Sequence, residues 1–586
     1  MPIPVGDRPF DALAAELVAD QFAAMPTLGS SLGLTEYDEL LPDMSADAVG
    51  RRQAAEDAWS QRLSALSDTE LTPEERIDRD LVVMVLTGRR LLRDWADWRR
   101  SADYYAGVAL NGVFSLLLHR LRPEDELARA VTARLSAAPE LLEQGRANLD
   151  ADLASPQLLR RSLAQVRAGA AYARAVAAEF PDPGHRAQVA AAGEVAAAAF
   201  DAFADHVDAL AEKARGSWAI GEQRYDALLR HAEGLGYGAR EMREHGQAAY
   251  DEIVADMRAR TAQLRGGNGH DGDWRALLQE LNQDHPATPD ELLEEYRQAT
   301  AQARQFCIDR DLVTVPEGEQ CAVVPSAPFT RGMLAVAHYI QPPPFSGRAL
   351  GHFFVPYPPE GATEDQVRQR MATNSRNGLW SITVHEAYPG HHWHFAWLAA
   401  GQAVGRTRPL RSVFGSTYFV EGWGLYSEDL MREQGFFRTR EQELCQRDMR
   451  LFRAARIVVD TSLHLGEMSV DQAVEHMSTK ASLSAETARA EVLRYCAWPT
   501  QAASYLTGAL EIARMRDRWL AEGRGSLREF HDRAAGSGRL PIALVERSLF
   551  DARGQDRGHG GDAAVDASHG VGVGAGTAGP SAGAAS

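Results

Sequence analysis

The sequence predicts a mainly α-helical protein built of many helices in two or three lobes, with a small β excursion near 311–359. Three observations carry this. Apolar residues recur at i, i+3, i+4 and i+7 from the N-terminus to about 300 and again from Glu364 to about Arg547. Between these stretches lie short β-favouring runs closed by proline. The chain's 586 residues are too many for one ordinary hydrophobic core.

In chain order, residues 1–300 form an expected N-terminal helical lobe, in which DALAAELVADQFAAM and DELARAVTARLSAAPELLEQGRANL show the helical period. Pro139, Pro156, Pro181-Asp182-Pro183-Gly184 and Gly266-Gly267 are read as breaks between its helices. The alanine-rich stretch Ala187 to Ala204 suits close helix packing, and no fixed-period repeat argues for a solenoid. Residues 301–360 form an extended segment containing LVTVP, CAVVP, LAVAHYIQPPP and GHFFVPYPP. Residues 361–548 form a second helical lobe. From 549 to 586 the chain is rich in Gly, Ala and Ser and reads as a disordered tail, with His559 and His569 incidental.

Composition narrows the function. Apolar residues at 45% and charged residues at 24% are a globular balance. With 62 Lys and Arg against 81 Asp and Glu, the net charge is −19. That disfavours nucleic acid or an anionic membrane surface as partner, since both demand clustered cations. The only lysines are Lys213 and Lys480. Cys307, Cys321, Cys445 and Cys496 show no CxxC spacing, so neither a zinc ribbon nor a disulfide framework is expected. No basic segment followed by an apolar one opens the chain, and no apolar run reaches the ~20 residues of a membrane span. The expected setting is the cytoplasm.

The chemistry concentrates in Thr383-Val-His385-Glu386-Ala-Tyr-Pro389-Gly390-His391-His392-Trp-His394. The His–Glu pair followed by further His is similar in logic to HExxH, in which two His on one helix face bind zinc and Glu is the base. The spacing is longer, however. On an unbroken helix His391 lies about 9 Å along the axis from His385 and on another face, and His392 about 10.5 Å away on the same face. Zinc–nitrogen bonds are only ~2.0–2.1 Å, so neither reaches the same ion on a regular helix. Pro389 and Gly390 resolve the conflict by kinking the backbone and drawing a later His back. His391, the first imidazole after the break, is the favoured second ligand, with His392 the alternative.

A third ligand is sought in Phe419-Val-Glu421-Gly-Trp-Gly-Leu-Tyr426-Ser-Glu428. Glu421 and Glu428, seven apart, share a helix face, so one can ligate while the other orients a ligand His. Glu421 is taken as the ligand. Gly422 and Gly424 suggest close approach of backbone or ligand. Two His and one Glu leave a position for water, whose proton Glu386 could accept. Tyr505, or His464 if protonated, could stabilise an oxyanion. Arg447, Arg450, Arg453 and Arg494 could clamp a substrate carboxylate. His338, His352 and His394 are read as structural, and Trp380, Tyr388, Trp393, Trp397 and Trp423 as mainly core.

Together HEAYPGHH, EGWGLYSE, MRLFRAARIVVDTSLH and RYCAWPTQAASYLTG resemble, in order and spacing, the bacterial domain-of-unknown-function 885 (DUF885) family over roughly Pro358 to Leu510. The resemblance implies a zincin-like helical fold and a hydrolase, with metal on His385, His391 or His392, and Glu421, and with Glu386 as base. It does not imply a substrate. One departure stands out: where the family commonly has SYKxG, this chain has Ser504-Tyr505-Leu506-Thr507-Gly508. The leading expectation is therefore a hydrolase with one Zn²⁺ cleaving a peptide, amide or related acyl bond in a small peptide or amide-containing metabolite. Two alternatives keep the same residues: an Fe²⁺ (or Mn²⁺) site serving redox chemistry, and a non-catalytic scaffold stapled by metal.

Overall fold

The computed structural model describes residues 8–266, 273–326, 331, 336–359, 361–403 and 409–551. Helices begin where the sequence supplies caps. Thr72 accepts from the Glu75 amide while Glu75 reaches back to the Thr72 amide, starting Pro73–Leu91. Asp182 accepts from the Gly184 and His185 amides at the start of Pro183–Ala211, and Pro156 likewise opens Pro156–Ala175. Pro139 does not break the chain as expected; it sits inside Glu124–Asn148. That helix buries Ala138, Leu141, Leu142 and Gly145, so packing on either side of the proline outweighs its lost backbone bond. The mainly α fold the pattern predicts is the one observed.

The apolar interior divides in a way that the 300/361 boundaries did not anticipate. One cluster joins Met44 to the helices Asp103–His119, Glu124–Asn148, Pro156–Ala175 and Pro183–Ala211. The other runs from Phe10 to Leu86 and then from Ile220 to Phe550. The first helices therefore pack into the same interior as the C-terminal half. Buried Arg411 reinforces this union, donating to Asp78 (2.6 Å) and Glu74 (2.6 Å). Sequence separation hides such pairing, because periodicity shows that a face is apolar but not which face it meets.

The β excursion is a three-stranded sheet of β1 (Gln320–Pro325), β2 (His338–Ile340) and β3 (Leu350–Val355), in the order β1-β3-β2. β1 runs parallel to β3 with Val323 opposite Phe353, and β2 runs antiparallel to β3 with Tyr339 opposite Phe353. LVTVP forms no strand; Thr314 is instead fastened through its amide and hydroxyl to the Asp532 carboxylate. The expected tail lies, beyond Asp551, outside the described residues, and its first residues finish the helix Ile542–Phe550.

Two packing events position the site. Helix Thr417–Glu433 crosses Gln501–Ala521 backbone to backbone, and a Cβ on Gly422 would come 2.6 Å from Gly508. The long helix Arg440–His464 also packs against Gln501–Ala521 and holds a row of arginines beside Tyr505.

Candidate metal centre

The helix carrying His385 and Glu386 is Leu379–Glu386, and it stops there. The Tyr388–Pro389 peptide is cis, and a new helix starts at His391. The sequence suggested a kink; the structure has a complete break with reversal. Gly390 makes it possible, since a Cβ there would lie 2.0 Å from the His385 carbonyl oxygen. The Pro389 carbonyl accepts from the Trp423 indole (2.8 Å), tying the turn to helix Thr417–Glu433.

This folding brings three donors together: one ligand atom each of His385, His391 and Glu421, all within 4.8 Å of one another. The Nε2 atoms of His385 and His391 lie 3.7 Å and 3.4 Å from Glu421 Oε2. Two donor atoms on a tetrahedral zinc at ~2.0–2.1 Å stand about 3.4 Å apart. These separations are long for hydrogen bonds to a carboxylate and right for sharing a cation. The residues therefore fit a zinc-sized ion. The His385 and His391 rings meet edge to face at 4.8 Å, and the His391 Nδ1 atom is buried with no hydrogen-bond partner.

Glu428 and Ser381 fix the first ligand. The His385 Nδ1–H donates to Glu428 Oε1 (2.9 Å), and the other Glu428 oxygen accepts from the Ser381 hydroxyl (2.5 Å). This leaves Nε2 facing Glu421, the nitrogen that can give its lone pair to a cation once it loses its proton. Gly424 makes room for the ring, since a Cβ would come 2.7 Å from it. In the metal-free protein burial pulls the His385 pKa down, but Glu421 and Glu428 outweigh it and raise it to about 9. Partial burial resists the Glu421 charge, yet the two imidazoles hold its pKa well below the usual carboxylate range. Burial raises the Glu386 pKa, with His385 and His391 pulling the other way. No hydrogen bond joins the Glu386 carboxylate to another described side chain.

His392 is placed elsewhere. Its Nε2–H donates to Glu319 Oε2 (2.6 Å) and its Nδ1 accepts from the Tyr339 hydroxyl (3.0 Å). Glu319 also accepts from Tyr388 (2.5 Å) and Arg304 (2.7 Å); against burial, these bonds lower its pKa to about 2. Both His392 nitrogens are therefore committed, and the sheet edge locks the helix that begins at His391.

The sequence is matched over residues 26–549 by the bacterial family described as a protein of unknown function, DUF885. The chain belongs to that family. No curated protein matches it. Two solved structures share the fold. One, titled a "putative lipoprotein of unknown function" from Shewanella oneidensis, is 20% identical with a TM-score of 0.73, over 92% of this chain and 99% of its own. The other, a "putative lipoprotein" from Colwellia psychrerythraea, is 17% identical with a TM-score of 0.77, over 92% and 98%.

In this DUF885 chain Tyr505 stands beside the cluster, its ring stacked 6.3 Å from that of His385. Gln501 donates to its hydroxyl (3.3 Å), leaving the phenol proton available. Burial and Glu421 raise its pKa while Arg456 and Arg494 lower it, so the group stays a phenol at neutral pH. His464 does not join the site. It lies at the far end of Arg440–His464, its Nε2 meets the Tyr495 carbonyl (3.0 Å), and burial lowers its pKa to about 4. Burial thus disfavours a protonated His464 at neutral pH. Arg450 pairs with Asp429, and Arg447 with Asp256 (2.7 Å) and Asp429 (3.2 Å). Arg494 is tied to Glu491 (2.9 Å), while Arg453 reaches the Met449 carbonyl (3.1 Å).

Sequence reading missed Ser381, Glu319, Gln501 and Arg456. Ser381 lies one helical turn before His385 and Arg456 one turn after Arg453, so the i, i+4 and i, i+3 rules could have found both. Nothing local marks Glu319, which lies 73 residues from His392.

Proposed function

We propose that the protein is a zinc-dependent hydrolase of peptide, amide or related acyl bonds in small substrates. The observation that carries this reading is the convergence of His385, His391 and Glu421 with the Glu386 carboxylate next in sequence. His385, His391 and Glu421 would hold the ion. When bound, zinc supplies Lewis acidity that acidifies water and polarises a carbonyl.

The protein's own residues do the rest. Glu386, left without a hydrogen-bond partner among the described residues and with burial raising its pKa, takes a proton from the attacking water and passes it to the leaving nitrogen. Tyr505 donates its free phenol proton to the oxygen that becomes negative. Glu428, anchored by Ser381, keeps the His385 ring in the tautomer that presents Nε2.

The test compares wild type with Glu386→Gln on peptide and N-acyl amino-acid libraries, each after metal analysis of protein purified without added metal. Zinc content, hydrolysis restored by zinc alone after chelation, and a ~10²–10⁴-fold drop in the Gln variant are expected. Equal cleavage by both proteins removes Glu386 as the base. Iron with oxygen-dependent turnover would instead mean redox chemistry, and melting on chelation without any activity would mean a scaffold.

No helix among the described residues is long and apolar enough to cross a membrane. The sequence favours the cytoplasm, whereas the names of the two solved relatives favour the cell envelope; fractionation of the native cells decides between them.

A further inference from the structure

Beside the candidate metal centre lies a cluster of arginines that the hydrolytic steps above leave unused. Arg453 and Arg456 sit one turn apart on Arg440–His464, with only 9% and 6% of their surfaces exposed. Their guanidinium carbons lie 5.9 Å and 4.7 Å from the Tyr505 ring centre. That ring stacks on His385, so the arginines and the metal ligands flank one phenol.

The arginines are incompletely satisfied. Arg453 Nε and Arg456 Nη1 are both buried without a hydrogen-bond partner. Arg456 otherwise donates to the Tyr495 hydroxyl (3.1 Å) and Glu491 Oε2 (2.8 Å). Arg494 uses that same Glu491 oxygen (2.9 Å), and its other branch donates to Gln501 (2.5 Å). Arg456 and Arg494 thus share the Glu491 carboxylate, while Arg453 has no ion pair with a described residue. Asp448 also faces Arg453, but its Oδ1 is itself buried without a hydrogen-bond partner and it forms no ion pair with a described residue. A buried donor on a cation is costly to leave unmade, and more so when its charge is uncompensated. Arg is also the side chain whose geometry matches a carboxylate bidentately.

We propose that Arg453 and Arg456 receive the free α-carboxylate of the substrate, so that the protein releases the C-terminal amino acid of a short peptide or of an N-acyl amino acid. This rests on the hydrolase reading. In a linear peptide the only backbone carboxylate is that of the last residue, and it is attached to the carbon that bears the scissile nitrogen. Seating it on the arginines places the preceding acyl carbon toward Glu386 and the phenol of Tyr505. The chemistry balances with water alone: water's oxygen bonds to the acyl carbon, the C–N bond breaks, and the nitrogen leaves with a proton relayed by Glu386. No oxidant or reductant is required.

Carboxylate binding can be measured apart from the identity of the metal and apart from turnover. Calorimetry on zinc-supplied Glu386→Gln protein would use a panel of N-acetylated amino acids, each as free acid and as amide. The acids are expected to bind at least tenfold more tightly than their amides. Adding Arg453→Gln should shrink that preference at least fivefold, and Arg453→Lys should restore part of it. Any direct attraction of zinc for the carboxylate is common to all three proteins and cancels. Thermal melts show that each variant is folded, and Arg456→Lys provides a second probe should Arg453→Gln fail to fold. Equal binding of acid and amide, binding of neither, or a preference that survives Arg453→Gln overturns the proposal. Turnover separates the two claims: if the acid preference is found but wild type with zinc releases no amino acid from any member of the panel, the hydrolase reading fails and the carboxylate site stands.

Discussion

Glu428 decides which nitrogen of His385 faces Glu421, because a fully buried carboxylate can only accept. Replacing it with Gln keeps the shape and removes the charge that makes the imidazole a better donor to metal. Orienting partners of this kind are worth about 10–100-fold in metal affinity. Glu428→Gln should therefore weaken zinc binding by that factor in a competition titration with a chromophoric chelator, and Ser381→Ala should do so less. Unchanged affinity would mean that His385 does not ligate through Nε2. Tyr505 keeps one polar function unpaired among the described residues. Its hydroxyl accepts from Gln501 and has no acceptor of its own among the described residues, so its proton is free for a developing oxyanion. Tyr505→Phe should lower kcat by roughly 10²–10³ with KM little changed. A variant that raised KM alone would make Tyr505 a wall of the pocket instead.

At the scale of elements, the site is a product of two glycine-dependent approaches. Gly390 lets the chain reverse against the His385 carbonyl, and Gly424 lets helix Thr417–Glu433 pass under the imidazole. Gly424→Ala is the informative change. Alanine favours helix by about 1 kcal/mol over glycine, which offsets part of the roughly 1–3 kcal/mol that overpacking costs. The metal-free protein should thus melt close to wild type, while the displaced ring loses at least tenfold in zinc affinity; a variant that binds zinc normally would show that the ring yields at no cost. The break itself was legible, because proline and glycine are local signals and the span from His385 to His391 cannot close on an unbroken helix. The helical period and the proline-closed strands were legible for the same local reason. The choice between His391 and His392 was not, since it is made by Glu319 and Tyr339, 73 and 53 residues away. Pro139 inside a helix, LVTVP outside the sheet and the union of the first helices with the C-terminal interior were hidden likewise. Each depends on which surface an element meets, not on its own sequence.

For the whole molecule, buried titratable groups set the response to acid. Burial lowers the pKa of His119, His464 and His531 to about 4 and of His394 to about 3, from an ordinary 6.5. Below pH 6.5 the unfolded chain binds protons that these folded imidazoles refuse, so each group costs about 1.4 kcal/mol per pH unit until its folded value is reached. Burial acts oppositely on three carboxyls, raising Glu233, Asp448 and Asp460 to about 7. These take up protons in the folded state first, so acidification from pH 7 toward their unfolded values near 4 stabilises the fold by a similar slope. The windows of the two sets overlap between about pH 6.5 and 4, where they oppose one another. Below about pH 4 both sets are nearly spent apart from His394, while paired acids such as Glu319, with a pKa of about 2, are protonated more readily in the unfolded chain and lose the stability their partners gave. Chelated protein unfolded in urea at pH 7, 5.5, 4.5 and 3.5 should therefore hold its midpoint over the first three values and drop steeply at the last. A midpoint that falls steadily from pH 6.5 would mean that the buried acids are already ionised in the folded chain and offer no compensation.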